Sequence, residues 1–91
     1  MSLEIKHEPS AQRFIAMVEG QACVLEYRLS GNTMTIRHTG VPASLGGRGI
    51  AGELTRFALA TAREAGWKVV PACSYAEAFF RKHPEYADLL A

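Results

Sequence analysis

From Leu3 to Thr39 the chain alternates apolar and polar residues with a period of two, in runs separated by turn formers. That period is the signature of strands with one buried face. Leu3 to His7 reads as a short strand, stopped by Glu8-Pro9-Ser10. Arg13 to Val18 is a second strand, and Glu19-Gly20 is a hairpin turn into a third, Gln21 to Leu29. On the third, Cys23, Leu25, Tyr27 and Leu29 share one face while Val24, Glu26 and Arg28 share the other. Ser30-Gly31-Asn32 turns into a fourth strand, Thr33 to Thr39, with Met34, Ile36 and His38 expected on one side. Turns this tight join neighbouring strands, so the four predict an antiparallel meander.

The period then changes. Ile50, Leu54, Phe57, Ala58, Thr61 and Ala65 recur at helical spacing, with Glu53, Arg56, Arg63 and Glu64 opposite. This predicts a helix over 50–65, with Leu59 off the apolar stripe and Gly66 as the stop. Trp67 to Ala72 is a fifth strand. Following a helix, it is expected parallel to the fourth through a right-handed crossover. Pro71 has no N–H for a ladder, so the strands should splay there. Ser74 is placed to cap a helix from Tyr75 to His83, with Glu77 at the capping-box position. Pro84 then opens a last turn, Glu85 to Leu90. The sum is an α+β fold: a four-stranded antiparallel meander, a glycine loop and central helix, a splayed parallel fifth strand, and C-terminal helices.

Composition narrows the function classes. With 91 residues the chain has room for one domain, 1–91. A formal charge of +1 argues against nucleic-acid binding driven by bulk charge. No apolar run is long enough to span a bilayer, and the N-terminus is unlike a signal peptide, so a cytoplasmic protein with no membrane partner is expected. Cys23 and Cys73 are too few for a disulfide framework, and His7, His38 and His83 lack metal-ligand spacing. No metal is expected.

The chemistry concentrates in Val41-Pro-Ala-Ser-Leu-Gly-Gly-Arg-Gly-Ile-Ala-Gly-Glu-Leu54. Side chains are scarce at Gly46, Gly47 and Gly49, so backbone N–H groups can approach a ligand closely. The helix start behind them adds partial positive charge, which makes an anion site suited to phosphate or pyrophosphate. Gly47-Arg-Gly-Ile-Ala-Gly52 matches the dinucleotide fingerprint letter for letter. That fingerprint also requires a buried parallel strand before it and an acidic residue after the next strand. The preceding strand here is half polar, and the later one ends in Ala72-Cys73-Ser74. A nucleoside-triphosphate loop is excluded because no Gly-Lys-Ser/Thr follows.

Arg48-Gly49-Ile50-Ala51 opening a helix after an antiparallel meander resembles the acetyl-CoA pyrophosphate loop of the GCN5-related N-acetyltransferases. The wider set runs His38-Thr39, Val41-Pro42, Gly47 to Ala51, Pro71 to Tyr75, and His83-Pro84-Glu85-Tyr86. It resembles the minimal branch of that superfamily, the YidJ-like or NATD1-like acetyltransferases, over nearly the whole of 14–90. The resemblance implies a three-layer α/β version of the fold. It also implies acetyl-CoA as cofactor, with Gly46 in the binding loop and amides from about Gly47 through Arg48, Gly49, Ile50 and Ala51 to Gly52 cradling the pyrophosphate. The pantetheine arm would pair with main chain at Thr39, Gly40 and Val41, and Ser74 and Tyr75 would lie beside the cofactor. The superfamily loop usually has Gln or Arg where this chain has Gly46. Its usual tyrosine acid falls at Phe79-Phe80, which offers no hydroxyl.

Acetyl transfer needs an amine without its extra proton and a proton for the departing thiolate. Cys73, at the carboxyl end of the fifth strand beside a helix start, can serve as base, acid or acyl carrier. Against this stands the reading of a small buried hydrophobe. His38, on the neighbouring strand, can orient or deprotonate Cys73 or an incoming amine, or be a sheet histidine. Tyr75 can supply a hydroxyl or pack. The superfamily usually carries a helical segment between its first two strands that roofs the acceptor; only Glu8 to Gln12 stand there in this chain. An open acceptor side suits an amine on a protein or peptide, such as lysine. Two other readings remain: a CoA or acyl-CoA binding module with little catalysis, and an interaction domain without cofactor. The expected assembly is a monomer or weak homodimer.

Overall fold

The computed structural model describes residues 3–91. Four strands run in chain order: β1 (Lys6–Glu8), β2 (Arg13–Val18), β3 (Gln21–Ser30) and β4 (Thr33–Gly40). A loop containing the 3-10 turn Ala43–Leu45 leads into α1 (Ile50–Ala65), then β5 (Lys68–Pro71), α2 (Ser74–Lys82) and the 3-10 segment Pro84–Leu89. The sheet order is β1-β2-β3-β4-β5. The first four strands are antiparallel, and β5 is parallel to β4. The expected meander, crossover and final turn are all present.

Local chemistry explains the joints. Glu19 and Gly20 both have positive φ, 51° and 76°, as a two-residue hairpin turn requires. At the end of α1, Gly66 is left-handed, and the amides of Trp67 and Gly66 reach back to the Ala62 and Arg63 carbonyls at 2.8 and 3.3 Å. The first strand lies further along than alternation predicts, at Lys6–Glu8 rather than Leu3 to His7. Pairing with Arg13–Ile15 of β2 fixes it there, and Leu3 and Ile5 pack against the core without joining the ladder. His7 stacks on Phe14 at 4.3 Å and lies 2.6 Å from the Tyr27 hydroxyl through Nε2.

Two side-chain assignments are corrected by the structure. Glu26 pairs with His38 and Tyr27 with Ile36, so Arg37 is an extra residue on β4. This bulge reverses the alternation beyond it. Met34 and Ile36 face the core, as expected, but His38 turns to the outer face with Glu26, and Thr39 turns inward opposite Leu25. On α1 the buried positions are Ile50, Gly52, Leu54, Thr55, Ala58, Leu59 and Ala62. Leu59, expected off the stripe, is fully buried, whereas Phe57 is 40% exposed and sets its edge on Phe14. Ala65 is exposed as well. The contact follows the i, i+4 row 50-54-58-62, where Ala58 and Ala62 permit close approach to the sheet. The buried Thr55 hydroxyl is satisfied by the Ala51 carbonyl at 2.8 Å.

The core therefore lies between α1 and the inner face of the sheet, with Phe14, Leu25, Met34, Ile36 and Val69 on the sheet side. The far edge of β5 is covered by the C-terminus, where the Ala91 amide bonds the Val69 carbonyl at 3.0 Å. The outer face of the sheet is left more open; Met17 there is 62% exposed.

Candidate functional site

The sheet opens where Pro71 stands. The β4–β5 register ends at Ile36↔Pro71, and the Ala72 and Cys73 amides both converge on the Ile36 carbonyl, at 2.9 and 3.1 Å. Beyond that point β4 continues to Gly40 paired to β3 alone. A gap thus forms beside Arg37 to Gly40, as the missing N–H of proline predicts.

Cys73 sits at the closed end of this gap. It is the N-cap of α2, a position expected for Ser74. Its sulfur accepts from the Ala76 amide at 3.4 Å and lies 3.7 Å from the Thr39 hydroxyl. The Glu77 amide bonds the Cys73 carbonyl, so Glu77 stands one residue past the capping-box position and its carboxylate pairs with Arg81 at 2.6 Å. Helix start and bulge together thus direct one sulfur and one hydroxyl at each other. His38 is not part of that pair. It is exposed on the opposite face, and its ring stands over Gly40, where an added Cβ would lie only 2.8 Å from Nε2. Ser74 is exposed and lines neither of the cavities described next.

The glycine loop forms the next part of the site. Gly47 and Gly49 have φ of 81° and 78°, values only glycine adopts without strain. Gly46 has φ −63°, which any residue reaches. Gly49 is the N-cap of α1, and the first intrahelical bond runs from the Glu53 amide to its carbonyl at 3.0 Å. The amides of Ile50, Ala51 and Gly52 therefore have no acceptor within the helix. The Ile50 side chain is buried in the core, and the Arg48 side chain folds back onto Glu19 at 2.5 Å. What the loop offers an anion is backbone.

Two adjoining cavities meet at this helix start. One, of about 210 Å³, is lined by the loop together with Val41, Leu45, Ile50 and Tyr75. The other, of about 270 Å³, lies between α1 and α2 and is lined by Gly49, Gly52, Arg56, Tyr75, Ala78, Phe79, Lys82 and His83. They share Gly49, Gly52 and Tyr75, and no carboxylate lines either. Tyr75 is 38% exposed; burial pushes its phenol up, and the nearby Arg56 guanidinium opposes that shift. A Cβ at position 52 would lie 3.3 Å from the end of the Arg56 side chain, which would have to give slightly, and in ordinary contact with the Tyr75 hydroxyl at 3.5 Å.

Arg56 and Lys82 were not singled out by the sequence, where Arg56 reads as part of a solvated face. One signal was available for Lys82: it has Ala78 four residues earlier, whereas its neighbour Arg81 has Glu77. The glycine loop fits a phosphate by its free amides. The aliphatic lining near Val41 and Leu45 fits an uncharged arm leading toward the gap beside Thr39.

Comparison with known proteins agrees with this geometry. The sequence profile of the GCN5-related N-acetyl-transferases matches residues 13–89. A GCN5-like candidate N-acetyltransferase from Staphylococcus aureus, determined in solution by NMR, is similar over 100% of this chain and 91% of its own. The two share 34% identity, with a TM-score of 0.79. Among curated proteins no sequence matches the chain. A profile match running from β2 through the last turn, on a sheet that opens at Pro71 beside a glycine-started helix, shows that the chain belongs to the GCN5-related N-acetyltransferase family and is an enzyme of acetyl transfer.

Proposed function

We propose that the 91 residues act as one minimal acetyltransferase domain of the YidJ-like or NATD1-like kind, using acetyl-CoA as donor. The observation that carries this reading is the cavity lined by the glycine loop, the first turn of α1 and Val41, the residue that follows β4 just beyond where the sheet has opened. Amides from Gly47 to Gly52 hold the pyrophosphate, the Gly46 amide being taken by the Ala43 carbonyl at 3.1 Å, and main chain at Thr39, Gly40 and Val41 takes the pantetheine arm. Tyr75 closes the wall, with Ser74 beside it at the start of α2. The bound cofactor supplies an activated thioester.

The chain's own residues handle protons. Cys73, held by the Thr39 hydroxyl and the Ala76 amide, is the titratable group at the gap and serves the departing thiol. His38, on the other face of β4, takes the proton of an amine arriving over the open sheet. The structure separates His38 from Cys73, so the amine is its partner in this reading. Between β1 and β2 stands only the three-residue 3-10 turn Pro9–Ala11, too short to roof that face, so the acceptor is an amine on a protein or peptide, such as a lysine side chain.

The test is acetyl transfer to lysine peptides and to small free amines, with Cys73→Ala measured beside the parent chain. Peptide turnover that falls at least about a hundredfold in Cys73→Ala, with acetyl-CoA affinity kept, is expected. Faster turnover on small amines would refute the acceptor assignment. Undiminished transfer by Cys73→Ala would refute the role of the thiol, and binding without any transfer would make the chain a CoA-binding module.

A further inference from the structure

We infer that the cavity between α1 and α2 is a specificity site for the 3′-phosphate of coenzyme A, held by Arg56 and Lys82. The inference rests on the acetyl-CoA reading above and adds to it the form of the cofactor that the enzyme selects. Among the described residues, Arg13, Arg48, Arg63 and Arg81 each have a carboxylate partner, whereas Lys6, Arg28, Arg37, Arg56, Lys68 and Lys82 have none, and of these six Arg56 and Lys82 are the two that line this cavity. Both face the same cavity of about 270 Å³, whose lining contains no acid. Two unpaired cations brought together from separate helices repel one another, and an anionic ligand between them removes that cost.

Arg56 is also held in place. Its guanidinium carbon lies 5.6 Å from the centre of the Phe79 ring, and its side chain passes close to Gly52. A stacked guanidinium keeps its N–H edge free and directed, which suits a phosphate. His83 packs on the same ring at 4.3 Å and is part of the cavity wall.

The lining separates this anion from the one at the loop. Arg56 stands four residues beyond Gly52, about 6 Å along the axis, and its side chain reaches back toward Gly52, yet neither Arg56 nor Lys82 lines the cavity at the loop. A ligand with phosphates at the helix start and a further phosphate one turn along satisfies both sets of donors. Coenzyme A is such a ligand; its dephospho form lacks the second group.

The test compares acetyl-CoA with acetyl-3′-dephospho-CoA by calorimetry, on the parent chain and on the double variant Arg56→Gln, Lys82→Gln. The parent is expected to bind acetyl-CoA about tenfold or more tightly than the dephospho form. The double variant should lose that preference while binding the dephospho form within about twofold of the parent, since the loop amides are untouched. Circular dichroism and thermal melting of the variant establish that it is folded, and Arg81→Gln, at a cation already paired with Glu77, serves as control. Equal binding of both ligands by the parent, or a preference that survives in the double variant, would overturn the inference while leaving the cofactor reading intact. Failure of the parent to bind either ligand would overturn both.

Discussion

Single residues set the chemistry, and several act through conformation that sequence pattern cannot display. Gly49 is the clearest case, since at φ 78° it starts α1 and turns the first amides toward the cavities. Gly49→Ala should cost about 1–2 kcal/mol in urea unfolding. Gly46→Ala should cost less, because its φ is −63° and its added Cβ only needs a small shift of the Ala43 carbonyl. His7 gives a pH-dependent signature. Burial pushes its imidazole below the ordinary value, so the folded protein binds that proton less readily than the unfolded chain. Stability from the neutral ring is therefore present above about pH 6.5 and is lost as pH falls below it. Melting temperature should drop from pH 6.5 toward 5, and His7→Gln should melt with a shallower pH slope over that range. At the candidate site, Cys73 and the loop glycines stood out in the sequence as a thiol beside a helix start and a run without side chains. The Thr39 hydroxyl did not, because its contact with Cys73 depends on the extra residue at Arg37.

At the scale of elements, periodicity located nearly everything and oriented most of it. The limits of β2 and α1 coincide with the alternation and with the spacing of Ile50 to Ala65, because caps and turns there agree with the hydrophobic pattern. Orientation failed in two places for identifiable reasons. A bulge leaves no mark on composition, so alternation alone puts His38 on the face of Ile36. Spacing alone draws the stripe of α1 through the large Phe57, whereas packing follows the small-residue row that brings Leu59 inward. The second point has a direct consequence. Leu59→Ala should destabilise by about 2–5 kcal/mol, as a buried leucine truncation does, and Phe57→Ala, at a half-exposed ring, by clearly less. Equal losses in denaturant unfolding would mean that Phe57 carries the packing. The cap of α2 was displaced by one residue in the same manner. Serine is the commoner capping residue, yet the turn after Pro71 places the Cys73 sulfur, and not the Ser74 hydroxyl, over the Ala76 amide.

At the scale of the molecule, a five-stranded sheet with one helix-covered face and one more open face joins the groove proposed for acetyl-CoA to an accessible β4. The family resemblance carried by Gly47 to Ala51, Pro71 to Tyr75 and His83 to Tyr86 is upheld at the level of the GCN5-related N-acetyltransferases. The two cations of the α1–α2 cavity became visible only when helices distant in sequence were placed side by side. If the groove binds acetyl-CoA, saturation at a hundred times Kd adds about 2.7 kcal/mol to the folded state, and the melting temperature should rise by several degrees. The most direct measurement of the central claim is a calorimetric titration of the chain with acetyl-CoA, with NAD and ATP as controls. The account predicts saturable one-to-one binding of acetyl-CoA with the controls at least about tenfold weaker. No heat from acetyl-CoA, or binding of NAD or ATP at equal strength, would contradict it.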